Sequence, residues 1–152
     1  MDENDKGFHE FLTYWFAGWM RGMDDLDESS RRNILHECGK ACAHSHTVQL
    51  FRDAQQNSNS LDGFLENLGQ RFPTAQYEQV SPDTIKITYN ECGCDLVKLG
   101  LINSPTLCEC SAANLRENFE QSLGVLVSVR IESSILRGGN QCVLIVSLGN
   151  EN

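Results

Sequence analysis

Apolar residues in the first part of the chain recur every three or four positions. Phe8, Phe11, Leu12, Trp15, Phe16, Trp19, Met20 and Met23 fall on one face of a helix. That spacing predicts a core-facing helix whose Trp15 and Trp19 stripe packs on a sheet and lines a cavity. A second helix is expected after Asp27, a residue type suited to capping, with Ile34, Leu35, Cys38, Ala41 and Cys42 on its inner face. A third follows. A fourth is signalled by Ser60 as cap, by Leu61, Phe64, Leu65 and Leu68, and by Gly69 as a stop.

From about residue 76 the period shortens to two. Tyr77 to Val80 and Thr84 to Tyr89, joined by "SPD", read as a hairpin. Val125, Val127, Val129 and Ile131 alternate, and "RGGNQ" leads into "CVLIVSL", which makes a second hairpin. Between them a helix is expected to start near Ser111, bury Ala112, Leu115, Phe119 and Leu123, and close at Gly124. The fold class implied is α+β, a helical N-terminal layer packed on an antiparallel sheet with β-β-α-β-β order. No internal repeat, low-complexity segment or linker interrupts the pattern. The expectation is therefore a single domain over 1–152, with 1–72 mainly helical and 73–152 forming the sheet.

The chain has 152 residues and a formal net charge of −9. This charge repels phosphate backbones and anionic membrane surfaces, and no local Lys/Arg cluster offsets it, so nucleic acid is not an expected partner. The apolar run "FLTYWFAGWM" follows acidic residues and is too short for a membrane span, which needs roughly 20 residues. The expected location is cytoplasmic, with no membrane partner.

In a reducing compartment the seven cysteines become candidates for ligands, nucleophiles or small buried residues rather than structural disulfides. The stretch "ECGCDLVKLGLINSPTLCEC" carries two Cys-x-Cys doublets. In extended backbone, residues i and i+2 share a face, so each doublet can present two sulfurs on one side. Cys92, Cys94, Cys108 and Cys110 thus form a candidate tetrahedral site for zinc or another soft metal, with an iron–sulfur cluster ranked below. The competing reading makes them buried or merely reduced thiols. Cys110, just before a cap at Ser111, is expected to have a lowered pKa from the helix terminus, which makes it the candidate nucleophile. In "HECGKACAHSH", Cys38 and Cys42 stand with His36, His44 and His46, a composition that can bind metal. The alternative there is a core-facing pair of cysteines with histidines at a frayed helix end.

The segment "CGC…PTLCECSAANLRENFEQSLGVLVSVRIESSILRGGNQCVLIV" resembles a group of uncharacterised bacterial proteins with paired Cys-x-Cys motifs, and "CGKACA" resembles their N-terminal signature. The resemblance runs from Cys38 onward. That group is similar in turn to 4-vinyl-reductase-like small-molecule-binding domains and to L-2-amino-thiazoline-4-carboxylic acid hydrolase-like proteins. The resemblance implies a zinc site beside a hydrophobic ligand cavity. Residue by residue, it carries over to Gly138 and Cys142, to Cys108 as an upstream ligand and to Glu132 as the acidic position. Ser134 stands where a ligating cysteine is expected, and a hydroxyl binds zinc poorly. Cys142, Glu132, Cys38 and Cys42 are therefore alternates to the doublet ligands. Glu120 reads as a solvated helix position.

The function expected from these readings is a small soluble ligand-binding domain of sensor or accessory type, with a thiolate-bound metal and a small apolar or aromatic molecule as partner. The pattern leaves a homodimer open. The alternatives are a metal- or cysteine-dependent hydrolase, with His44 or His46 as base, and a thiol redox protein.

Overall fold

The computed structural model describes residues 2–149. Four helices come first: α1 (Glu3–Asp25), α2 (Glu28–Cys42), α3 (Val48–Gln56) and α4 (Leu61–Arg71). Strands β1 (Ala75–Ser81) and β2 (Thr84–Tyr89) follow. After a connection that holds the single-turn helix α5 (Asp95–Lys98) come α6 (Cys108–Leu123), β3 (Val127–Ser133) and β4 (Cys142–Leu148). The sheet is antiparallel, in the order β1-β2-β4-β3. The fold is thus α+β with the β-β-α-β-β order that the sequence implied.

Two caps act as the sequence indicated. Asp27 Oδ1 accepts from Ser30 N at 2.9 Å, and Ser60 Oγ accepts from Gly63 N at 3.0 Å. Gly124 closes α6 in the left-handed conformation, φ 69°, which an L side chain adopts only under strain. Gly69 does not stop α4, which runs on to Arg71. No helix break separates α2 from α3 either. A π-helical segment, Ala43–Thr47, joins them into one rod, so His44 and His46 sit within helix and not at a frayed end. Thr47 Oγ1 holds this bulge, bonding to Ala43 O at 3.2 Å and to Asn118 Oδ1 on α6 at 3.1 Å.

The main core lies between the sheet and α3, α4 and α6. Phe51, Phe64 and Phe119 pack edge to face over Ile85, Ile87, Val127 and Val146. A second, smaller core joins Met20 and Met23 of α1 to Leu35, Leu101, Ile102 and Leu107. Here the expectation for α1 fails. Only its C-terminal half is buried, and it packs on the β2–α6 connection rather than on the sheet. His9 Nε2 reaches Leu99 O at 2.9 Å, and Asp24 accepts from Thr106 Oγ1 at 2.9 Å. Phe8, Phe11 and Trp15 remain more than half exposed. The stripe is amphipathic as read, but helical periodicity does not say how far along its length a partner element extends.

α2 presents a different face from the one expected. Leu35, Gly39 and Ala43 are buried, whereas Ile34, Cys38, Ala41 and Cys42 are exposed. The reason is the close crossing of α2 on α6 at Gly39. A Cβ there would press on the Cys110 carbonyl oxygen and lie 2.7 Å from Ala113 Cβ and 2.8 Å from Asn114 N. A helix pair this close must meet through its smallest residue, so the cysteines flank the contact instead of filling it.

Candidate functional site

The site begins in the first turn of α6. The helix starts at Cys108, continuing a 3-10 turn over Pro105–Leu107 that Ser104 caps, and not near Ser111. Both members of the second doublet are therefore helical. At about 100° per residue, positions 108 and 110 point roughly 200° apart and not to one side. The shared-face geometry expected of the doublet in extended backbone does not apply there.

Three consecutive side chains instead face three environments. Cys108 is buried, its Sγ 3.3 Å from Ser134 Oγ. Ser134 also accepts from Arg137 N at 3.1 Å, and Cys142 Sγ accepts from Ile135 N at 3.4 Å. Burial pushes the Cys142 thiol pKa up, and the neighbouring Cys92 and Cys108 act in the same direction. Cys108 thus contacts the buried hydroxyl of Ser134, and Cys142, at the next residue's N–H, has Cys92 and Cys108 as neighbours. Cys110 faces α2. Burial, and then the nearby Cys38, Cys42 and Cys94, push its pKa up to about 12. This overturns the lowered pKa expected from the helix terminus. Desolvation among other thiols disfavours the thiolate here.

The seven cysteines are free, and each doublet is divided between two neighbourhoods. Cys94 and Cys110 join Cys38 and Cys42, while Cys92 and Cys108 join Cys142. Among the described residues, no group of three or more Cys, His, Asp or Glu side chains is placed as it stands to hold a metal ion. The other candidates lie elsewhere. Glu132 is half exposed on β3, 3.7 Å from Arg130 Nη1. His44 Nε2 meets Glu117 at 2.8 Å, and His46 Nδ1 meets Ser45 Oγ at 3.1 Å. Neither imidazole is among the groups that shift Cys110. Glu120 is not a solvated position, because its Oε1 accepts from Arg116 Nε at 3.0 Å and from Val127 N at 3.1 Å, tying α6 to the start of β3.

Between these thiol groups, Glu109 points into a cavity of about 520 Å³ bounded by α2, α6, β3 and the turn before β4. Four arginines line it, Arg32, Arg116, Arg130 and Arg137, together with His36 and Glu109. Ala112, Ala113, Val129 and Ile131 supply the apolar part of the wall. Glu109 is the carboxylate inside, 3.8 Å from Arg32 Nε and 3.9 Å from Arg137 Nη2. Burial pushes the His36 pKa down, against the pull of Glu109, and the nearby Arg116, Arg32 and Lys40 act in the same direction as burial. Sequence reasoning missed this cavity. Its arginines come from four separate elements, and no local run of basic residues announces them.

A helical layer on a four-stranded antiparallel sheet, with a cleft where α2 and α6 meet the edge strand, defines a small α+β domain with a known set of structural neighbours. A trafficking protein particle complex subunit 3 from Naegleria fowleri, covalently bound to palmitic acid, aligns with a TM-score of 0.59 at 15% identity, covering 96% of this chain and 98% of that one. The phenol-responsive sensory domain of the transcription activator PoxR, with phenol, also aligns at 0.59, with 13% identity over 90% of this chain and 74% of that one. At such identities the likeness shows the fold alone. No protein-family model matches the chain, and no curated protein does.

Proposed function

We propose that this chain is a small-molecule-binding domain of sensor or accessory kind, taking its ligand in the cleft between α2, α6 and β3. The observation that carries the reading is that cleft, about 520 Å³ and open to solvent. It falls within the size range of small-ligand sites and combines apolar wall with convergent polar groups. The fold shared with a phenol-responsive sensory domain supports it. Titrating isotope-labelled protein with a panel of small aromatic compounds, neutral and charged, tests it. Saturable shifts at Ala112, Ala113, Val129 and Ile131 are expected, and a panel with no saturable member would refute the proposal.

A second reading concerns the thiols. The gathering of Cys38, Cys42, Cys94 and Cys110 across three elements favours a soft metal ion, zinc first. Four thiolates suit such an ion chemically, although the side chains would have to turn inward to close on it. The raised pKa values of Cys42 and Cys110 make metal compete with protons there, so loading should strengthen with pH. Elemental analysis of protein purified reduced and without chelator should find about one equivalent, lost in the Cys38→Ala/Cys42→Ala variant and kept in Cys92→Ala. Metal-free wild-type protein would sink this reading while leaving the ligand cleft untouched. The cysteine-dependent form of the hydrolase alternative has less support, because burial pushes the Cys110 pKa up and the hydrogen bonds of His44 and His46 go to Glu117 and Ser45.

A further inference from the structure

We propose that the cleft selects organic anions: a carboxylate or phosphate group held by Arg32, Arg116, Arg130 and Arg137, with a flat apolar body against Ala112, Ala113, Val129 and Ile131. This rests on the ligand-binding reading and is independent of any metal.

The first argument is charge. The whole chain has only 12 basic residues against 21 acidic ones, yet four arginines line one cavity. Among the described residues, only one carboxylate, Glu109, lines it with them. A concave wall of one charge sign focuses its field into the cavity, and in an otherwise acidic molecule that makes the cleft the place where an anion is attracted.

The second argument is how the arginines are satisfied. Arg116 is fixed by Glu120 at 3.0 Å, Arg130 lies 3.7 Å from Glu132, and Arg32 pairs with Glu28 at 2.9 Å; these three carboxylates do not line the cavity. A guanidinium has five N–H donors, so donors remain for a ligand after each of these contacts. Inside, Glu109 stands at 3.8 and 3.9 Å from Arg32 and Arg137, too long for strong charge-assisted hydrogen bonds. Two arginines that share one distant carboxylate can accept a second anion in forked, bidentate geometry.

The third argument is the apolar wall. Bare arginines would suit inorganic ions, but alanine and β-branched side chains beside them add surface that only an organic body can cover. Ala112 and Ala113 matter here because larger side chains would fill the space.

The test uses the full chain and three probes of matched shape: benzoate, phenyl phosphate and neutral phenol, titrated calorimetrically at low and high salt. Benzoate or phenyl phosphate should bind at least about tenfold more tightly than phenol, and more weakly at high salt. Whichever of the two binds more tightly identifies the anionic group. Arg32→Gln/Arg137→Gln should lose about tenfold in anion affinity without changing phenol binding, and Arg71→Gln, distant from the cleft, should behave as wild type. Glu109→Gln should bind the anion several-fold more tightly, a gain that a merely structural role would not produce. The proposal is overturned if phenol binds as well as the anions. Folded Arg32→Gln/Arg137→Gln with full affinity would also overturn it, as would weaker binding in Glu109→Gln. Each of these outcomes would leave the broader ligand-binding reading standing, because a ligand would still occupy the cleft. No binding of any probe at millimolar concentration would overturn both.

Discussion

Gly39 shows how much a single residue decides. It lets α2 approach α6 closely enough to set Cys38 and Cys42 on either side of the contact with Cys110. A methyl group there meets backbone atoms, which cannot rotate away as a flexible side chain could. Gly39→Ala should therefore destabilise the protein by about 1–3 kcal/mol, despite the better helix propensity of alanine, as read from urea midpoints. The buried thiols and tyrosines supply a second residue-scale expectation. Burial pushes Cys110 and Tyr89 each up to about 12, and Cys142 and Tyr77 upward as well. A group whose pKa is raised on folding binds its proton more tightly in the native state. Its contribution is fully present below the unfolded value, near 9 for thiols and 10 for tyrosines, and is lost as pH rises toward 12. Urea midpoints in reductant should be flat with respect to these groups up to about pH 9 and then fall. A midpoint that rose between pH 9 and 11 would contradict the burial of these groups.

At the scale of the element, α1 is two half-helices in energetic terms. Met20 and Met23 are buried against the β2–α6 connection, while Trp15, though its ring meets Phe16 edge to face at 5.3 Å, is about half exposed. Met23→Ala should cost about 2–5 kcal/mol and Trp15→Ala less than about 1 kcal/mol. Equal costs in thermal or urea denaturation would mean that the N-terminal half is packed after all. α6 is the opposite case. Three sides are engaged, by the sheet through Leu115 and Phe119, by the π segment through Asn118, and by α2 through Ala113. Its first turn distributes Cys108, Glu109 and Cys110 to three sites because a helix rotates each successive side chain by about 100°. Extended backbone was the expectation for that turn, and the helical conformation splits the second doublet.

For the molecule as a whole, two cores of unequal size imply unequal local stability. The main core, with Phe119, Ile85, Ile87 and Val146 wholly buried, should hold the slowest-exchanging amides in β2, β4 and α6, with the first half of α1 the fastest. Hydrogen exchange would check this, and protection of Phe8 to Trp15 equal to that of β4 would show that a further surface covers them. The sequence by itself determined the α+β class and most of the elements, in the chain order β-β-α-β-β, because helix and strand periodicities, caps and the glycine stop at Gly124 are local and are written over a few consecutive residues. It also marked the cysteines and histidines as chemically notable. Only the tertiary structure decided which of them meet. It sorted the seven thiols into two neighbourhoods that cut across both doublets, and it brought Arg32, Arg116, Arg130 and Arg137 to one cleft. Contacts between residues far apart in sequence depend on helix crossings and sheet edges, and no pattern of neighbouring residues encodes where those fall.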